Sequence, residues 1–157
     1  MVILYLAQGK REDVMEVNFS HTTSLRVRYG ETDQMGYCYY GNYAQYFEVG
    51  RVEAMRSLGM SYRKLEESGI MLPVSHFSVK YIKPALYDDL LLITTRITGL
   101  KGTKLEFEYE IKNEGGDLLS IASTTLIFVD KVSMRPTRPP KEFVGLLEQF
   151  IQNGKKV

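Results

Sequence analysis

Between Gly41 and Leu58 the apolar residues Tyr43, Tyr46, Phe47, Gly50, Ala54 and Leu58 recur every three or four positions, the spacing of one helical face. Further along, to about Val132, the pattern turns strand-like. Pro73 to Tyr81 is one run, and Asp89 to Thr98 is rich in Leu, Ile and Thr. In Lys104 to Lys112, Leu105, Phe107, Tyr109 and Ile111 alternate with Glu106, Glu108 and Glu110. Asn113-Glu114-Gly115-Gly116-Asp117 is a turn signal and Leu118 to Val129 follows as another strand, so these two runs form a hairpin. One helix cannot supply crossovers between several parallel strands. The order strand, long helix, strands therefore predicts a mainly antiparallel sheet and an α+β domain.

The flanks fit that scheme. Ser24 to Tyr29 alternates as a half-buried strand and breaks at Gly30. Gly50 sits on the apolar helical face, where glycine costs about 1 kcal/mol relative to alanine, and close packing against a sheet accounts for it. Gly59 suits a helix C-cap, and Ser61 to Glu67 forms a short second helix with Ser61 as N-cap. A proline-rich stop, Arg135 to Pro140, precedes an amphipathic stretch from Glu142 to Ile151. Residues 1 to 20 read as an N-terminal extension ahead of a single domain over 21–157, because Gln8 to Asp13 is polar without sustained period, and Met15 offers a second start. Val2 to Ala7 is too short to cross a bilayer and has no basic segment before it, so no targeting or membrane segment is expected.

Charge narrows the partners. With 20 basic and 19 acidic residues the formal charge is +1, so no overall field draws nucleic acid or an anionic membrane, and any anion site must be local. Cys38 is the single cysteine, which excludes an intramolecular disulfide and a cysteine metal cage and fits a reducing cytoplasm. His21 and His76 are the two histidines, and without clustered ligands neither a metal nor another cofactor is expected.

The segment Tyr29 to Tyr43 packs five tyrosines and three glycines between a strand and the helix. Glycines permit close backbone approach and tyrosines supply apolar walls with polar tips, as a ligand cleft needs. Thr32 and Asp33 by themselves suit the closing of a turn. Arg28 to Arg51, with Tyr29, Thr32-Asp33, Gly36, Tyr40, Asn42-Tyr43, Phe47-Glu48 and Arg51, resembles the 4-hydroxybenzoyl-CoA thioesterase family, including its acyl-CoA thioesterase branch associated with the bacterial Tol-Pal operon. Pro84 to Leu90 and Phe128-Val129-Asp130 extend the likeness, so it covers about residues 22 to 140.

That resemblance implies a hotdog fold, a curved antiparallel sheet wrapped around a long central helix, over residues 21–157. It implies a homodimer or homotetramer with active sites between subunits, and hydrolysis of an acyl-CoA. Asp33 then corresponds to the carboxylate that attacks the thioester or activates water, and the Tyr40 amide to the oxyanion donor. The tyrosine side chain at 40 departs from the Tol-Pal-associated branch, which carries His there. Glu48 is the rival carboxylate, since another hotdog branch uses a helical Glu two turns past the oxyanion donor; a surface pair with Arg51 at i, i+3 is the simpler account. Tyr29, Gly36, Tyr39, Asn42 and Tyr43 are expected around the substrate. Lys101 and Lys104, flanking Gly102-Thr103, match the place of cations for the CoA nucleotide, although a solvated hairpin explains them equally.

Ser75 and His76 are neighbours on a strand, so their side chains diverge and form no dyad, but either can line the cleft of a neighbouring subunit. Cys38 lacks nearby cations to lower its pKa and reads as core or cleft lining. A hotdog dehydratase would need a histidine, and none lies between His21 and His76. A non-catalytic acyl-CoA binder gains nothing from a carboxylate beside the thioester, and acyl-carrier protein is an alternative thioester donor to CoA.

Overall fold

The long helix α1 occupies Tyr43–Leu58 in the computed structural model, which describes residues 14–151. The stripe read from the sequence is the face it buries: Tyr43, Tyr46, Phe47, Gly50, Ala54 and Leu58, joined by Arg51 and Met55. A Cβ added at Gly50 would stand 2.6 Å from Thr95 Oγ1 and 2.7 Å from Ile93 Cγ2, so the helix backbone lies directly on the sheet there. Gly59 ends α1 at φ +102°, a left-handed conformation that suits glycine, its N–H returning to the carbonyls of Met55 and Arg56. The next helix, α2, spans Tyr62–Glu67, and Ser61 caps it by accepting from the Lys64 N–H at 3.2 Å.

The sheet contains β1 (Val14–Arg26), β3 (Val74–Tyr81), β4 (Leu90–Lys101), β5 (Lys104–Lys112) and β6 (Leu118–Ile127), in the order β1-β4-β5-β6-β3. Every neighbouring pair is antiparallel. A two-stranded ribbon pairs β2 (Ile70–Met71) with β7 (Val129–Asp130). The predicted strand Leu118 to Val129 is thus split at Phe128, which is fully buried and whose N–H bonds to the Thr103 carbonyl at 2.9 Å. Helix α3 (Lys141–Glu148) covers one end of the core, with the Phe143 ring 5.5 Å from that of Phe128. No helix among the described residues is long and apolar enough to cross a membrane.

The expected boundary at residue 20 is corrected. Residues 14–20 are the first half of β1, with Met15, Val17 and Phe19 buried and Glu16, Asn18 and Ser20 exposed. The alternation is complete, but its outward members are polar and it follows a charged tract. The polar tract Gln8 to Asp13 and the run Val2 to Ala7 lie outside the described residues. The strand also stops at Arg26, and Tyr29–Glu31 forms a 3₁₀ turn in place of a strand end.

Two edges frame the sheet, β1 and β3, and they differ in cover. On β3 the inward-facing Phe77 and Tyr81 remain 40% and 44% exposed, and seven of its eight residues are exposed. That strand ends next to the start of α1.

Candidate active site

The connection from β1 to α1 folds back on itself. The Asp33 N–H bonds to the Tyr37 carbonyl at 2.8 Å, the Gly36 N–H to the Asp33 carbonyl at 3.0 Å, and Thr32 bridges Cys38. Gly36 supplies φ +78° at this turn. The half-buried Asp33 carboxylate accepts from the Met35 N–H at 2.9 Å and the Tyr37 N–H at 3.3 Å, both through Oδ1. Closing the turn therefore occupies one oxygen, and Oδ2 has no hydrogen-bond partner among the described residues.

Tyr40–Asn42 is a 3₁₀ turn that leads into α1 without a side-chain cap. The Tyr40 carbonyl accepts from the Tyr43 N–H and from the Tyr81 hydroxyl of β3, the latter at 3.1 Å. The Tyr40 and Gly41 N–H groups have no acceptor among the described residues. Such uncapped donors at a helix start carry the positive end of its dipole. Around them stand rings: Tyr39 and Tyr40 at 4.8 Å between centroids, Tyr40 and Tyr81 at 6.5 Å, Tyr43 and Tyr81 at 4.9 Å.

Behind the loop lies a residue that the sequence reading passed over. Glu31 Oε1 accepts from the Arg28 N–H at 2.8 Å and from the Tyr46 hydroxyl at 3.0 Å, and Oε2 from the Arg28 guanidinium at 3.1 Å. Its carbonyl accepts from the Tyr39 N–H and from Asn42 Nδ2, each at 2.8 Å. Burial raises its pKa, but hydrogen bonds from Arg28 and Tyr46 outweigh this and hold the carboxyl below its usual value. The spacing of Arg28 to Glu31 was a faint clue; the contacts to Tyr46 and Asn42 need the folded chain.

Of the other expected substrate-binding residues, Tyr29 is exposed and meets the Tyr87 ring edge-on at 5.7 Å, while Tyr39 is half exposed. Asn42 is spent on Glu31. Tyr43 lies in the core beneath the loop, its hydroxyl accepting from the Ala85 N–H at 3.4 Å and pushed up to about 12 by burial. Its place on the buried helix stripe dictates this. Cys38 is buried, 3.3 Å from the Tyr46 hydroxyl, and burial pushes its thiol up, away from a reactive thiolate.

Glu48 projects from the exposed side of α1, and the expected surface pair with Arg51 does not form. Arg51 is 7% exposed and turns inward, its Nε donating to the Tyr62 hydroxyl at 2.8 Å and NH1 to the Tyr109 hydroxyl at 3.2 Å. Tyr109 in turn shares a hydrogen bond with Thr124 at 2.6 Å. The guanidinium belongs to the sheet-facing side of the helix, next to Gly50, so it meets hydroxyls of α2 and β5 before it can reach Glu48.

Lys101 and Lys104 face one another across the β4–β5 turn, Lys101 lying 3.5 Å from Glu106. Ser75 sits at a register shift early in β3 and donates to the Thr125 carbonyl at 3.1 Å; His76 beside it is exposed. All four lie at one end of the sheet, while Tyr81, Tyr40 and Asp33 lie at the other. The eight residues of β3 at about 3.3 Å each separate the two groups by roughly 25 Å within a protomer. A hollow of about 370 Å³ lies elsewhere, on the outer sheet face among Lys80, Arg96, Glu108 and Ser123, where Arg96 and Glu108 already pair at 3.9 Å.

Residues 35–120 match the family model described as Thioesterase superfamily. The chain is 38% identical over 119 residues to the "Putative acyl-CoA thioesterase YneP" of Bacillus subtilis, covering 76% of this chain and 86% of that protein. It is 34% identical over 125 residues to the "Acyl-CoA thioester hydrolase YbgC" of Escherichia coli O6:H1, covering 80% and 93%. The crystal structure of a DHNA-CoA thioesterase from Staphylococcus aureus superposes with a TM-score of 0.80 at 33% identity, over 83% of this chain and 90% of that one. A five-stranded antiparallel sheet against one long helix, an Asp-bearing loop at the helix start and these matches together lead to one conclusion: the chain belongs to the thioesterase superfamily of hotdog-fold thioester hydrolases.

Proposed function

We propose that this protein hydrolyses an acyl-CoA thioester to the free acid and CoA, with Asp33 as the catalytic carboxylate and the Tyr40 amide as oxyanion donor. The observation that carries the reading is the combination, on one loop-helix junction, of a carboxylate with one oxygen unengaged and backbone N–H groups without acceptors among the described residues. Two routes are open to Asp33. Its oxygen attacks the carbonyl, expels the thiolate of CoA and leaves an anhydride that water cleaves, or it takes a proton from a water that attacks directly. In both, charge builds on the carbonyl oxygen, and a donor fixed in advance at that point contributes about 10²- to 10³-fold in rate.

The site is composite in this reading. Antiparallel pairing of two β3 edges across a two-fold axis would bring the Lys104 and Ser75 end of one protomer to the Asp33 and Tyr40 end of its partner. Lys101, Lys104, Ser75 and His76 then line the mouth where the CoA nucleotide enters, and the half-covered Phe77 and Tyr81 become interface. Glu48, exposed and without an ion-pair partner among the described residues, is the competing carboxylate.

Release of free CoA from a panel of short, long and aromatic acyl-CoA thioesters, repeated with acyl-carrier-protein thioesters, tests the reading. Asp33→Asn is expected to lower kcat by about 10³-fold or more and Glu48→Gln by less than tenfold. Loss of turnover in Glu48→Gln with survival in Asp33→Asn would transfer the role to Glu48. A wild-type chain inert toward the whole panel overturns the assignment.

A further inference from the structure

The hydrogen bonds around Glu31 tie the segment that leads into Asp33 to the residues on either side of Tyr40-Gly41 and to the first turn of α1. Arg28, two residues past β1 and just before the Tyr29–Glu31 turn, gives it two donors. Tyr46, on the first full turn of α1, gives it a third and itself accepts from the Cys38 thiol. Tyr39 and Asn42, the residues on either side of Tyr40-Gly41, both donate to its carbonyl. Asp33 follows two residues later. One side chain and its own peptide group therefore span from the carboxylate-bearing turn to the helix start that carries the uncapped amides.

We propose that Glu31 is the positioning residue of this active site, setting the distance between the Asp33 carboxylate and the Tyr40 N–H without touching substrate. The inference rests on the proposed thioesterase reading. The Glu31 side chain is only 11% exposed and the Tyr46 ring whose hydroxyl meets it is buried, so that contact is fixed by surrounding structure even though the Arg28 side chain beside it is 80% exposed. A misplacement of about 1 Å between reacting groups can cost up to roughly 10²-fold in rate, which is the effect that loosening this brace would have. An amide at position 31 still offers an oxygen to the Arg28 N–H and the Tyr46 hydroxyl; a methyl group offers nothing.

The test is steady-state hydrolysis of an acyl-CoA that the wild-type chain turns over, with thermal midpoints measured alongside, for Glu31→Ala, Glu31→Gln and Tyr46→Phe. Glu31→Ala is expected to lower kcat by about tenfold or more with KM within about twofold, and Glu31→Gln to recover most of that loss. A merely structural role would lower the midpoint and leave kcat of the folded protein unchanged. The proposal is overturned if folded Glu31→Ala keeps wild-type kcat, if its defect lies in KM, or if Glu31→Gln is no better than Ala. Should Glu31→Ala not fold, Tyr46→Phe decides: it removes one bond to the brace, and the proposal needs a several-fold fall in kcat at unchanged KM. A wild-type chain without thioesterase activity removes the reading of the site itself, whereas an active wild type with indifferent Glu31 variants removes the positioning role alone.

Discussion

Arg51 and Glu31 are both charged, both at least largely buried, and solve that problem differently. Arg51 has two hydroxyl acceptors and no carboxylate within 4 Å among the described residues, and burial works against its charge while Tyr62 and Tyr109 support it. Tyr109→Phe removes one of those acceptors and the partner of Thr124, and should lower unfolding free energy by about 1–3 kcal/mol, read from urea midpoints. Glu31 has a cation beside it, which makes its contribution depend on pH. Because its folded pKa lies below the ordinary 4.5, its stabilisation is fully present above that value and is lost as pH falls through the depressed one. Thermal midpoints followed from pH 7 down to pH 3 should therefore fall more steeply for wild type than for Glu31→Gln. Parallel curves would remove Glu31 from the acid limb.

Among the elements, α1 has the strictest requirement, and it comes from the sheet beneath it. Alanine at position 50 would gain about 1 kcal/mol of helix propensity. The added Cβ would meet Thr95 Oγ1 at 2.6 Å and Ile93 Cγ2 at 2.7 Å, both on fully buried side chains in a close-packed interior. Gly50→Ala should thus destabilise by about 1–3 kcal/mol net, a loss visible in chemical denaturation, and a stabilised variant would contradict the close approach. The glycine, the caps at Gly59 and Ser61 and the alternation of β5 are local features, and each was legible in the residues. The first half of β1 was legible in principle, since Met15, Val17 and Phe19 alternate, but its identity as a strand depends on β4, to which it pairs from Val14↔Lys101 onward.

For the whole molecule the decisive feature is the uncovered β3 edge. If two copies pair there, a charge on its inward-facing side should dissociate them: Phe77→Asp is expected to yield monomers in sedimentation and to lose turnover together with the dimer. Complementation gives a sharper check on where the sites lie. Co-refolding Asp33→Asn with Lys104→Ala places an intact Asp33 opposite an intact Lys104 in one site of each mixed dimer. Activity at low substrate should then exceed the mean of the two parents; a simple mean would mean that each site is built within one protomer.

The residues alone determined the class of the fold, the buried face of α1 and the hairpin of β5 and β6. Those features rest on period and turn chemistry, which act over a few residues. Only the tertiary structure decided the rest. Arg51 leaves Glu48 for Tyr109, 58 positions away; Glu31 becomes the joint between loop and helix; and β3 falls at the edge with Ser75 and Lys104 far from Asp33. The first and last of these depend on which strands lie side by side, and the second on how the connecting loop folds back onto α1. Strand order is set by long-range packing, and no local pattern encodes it.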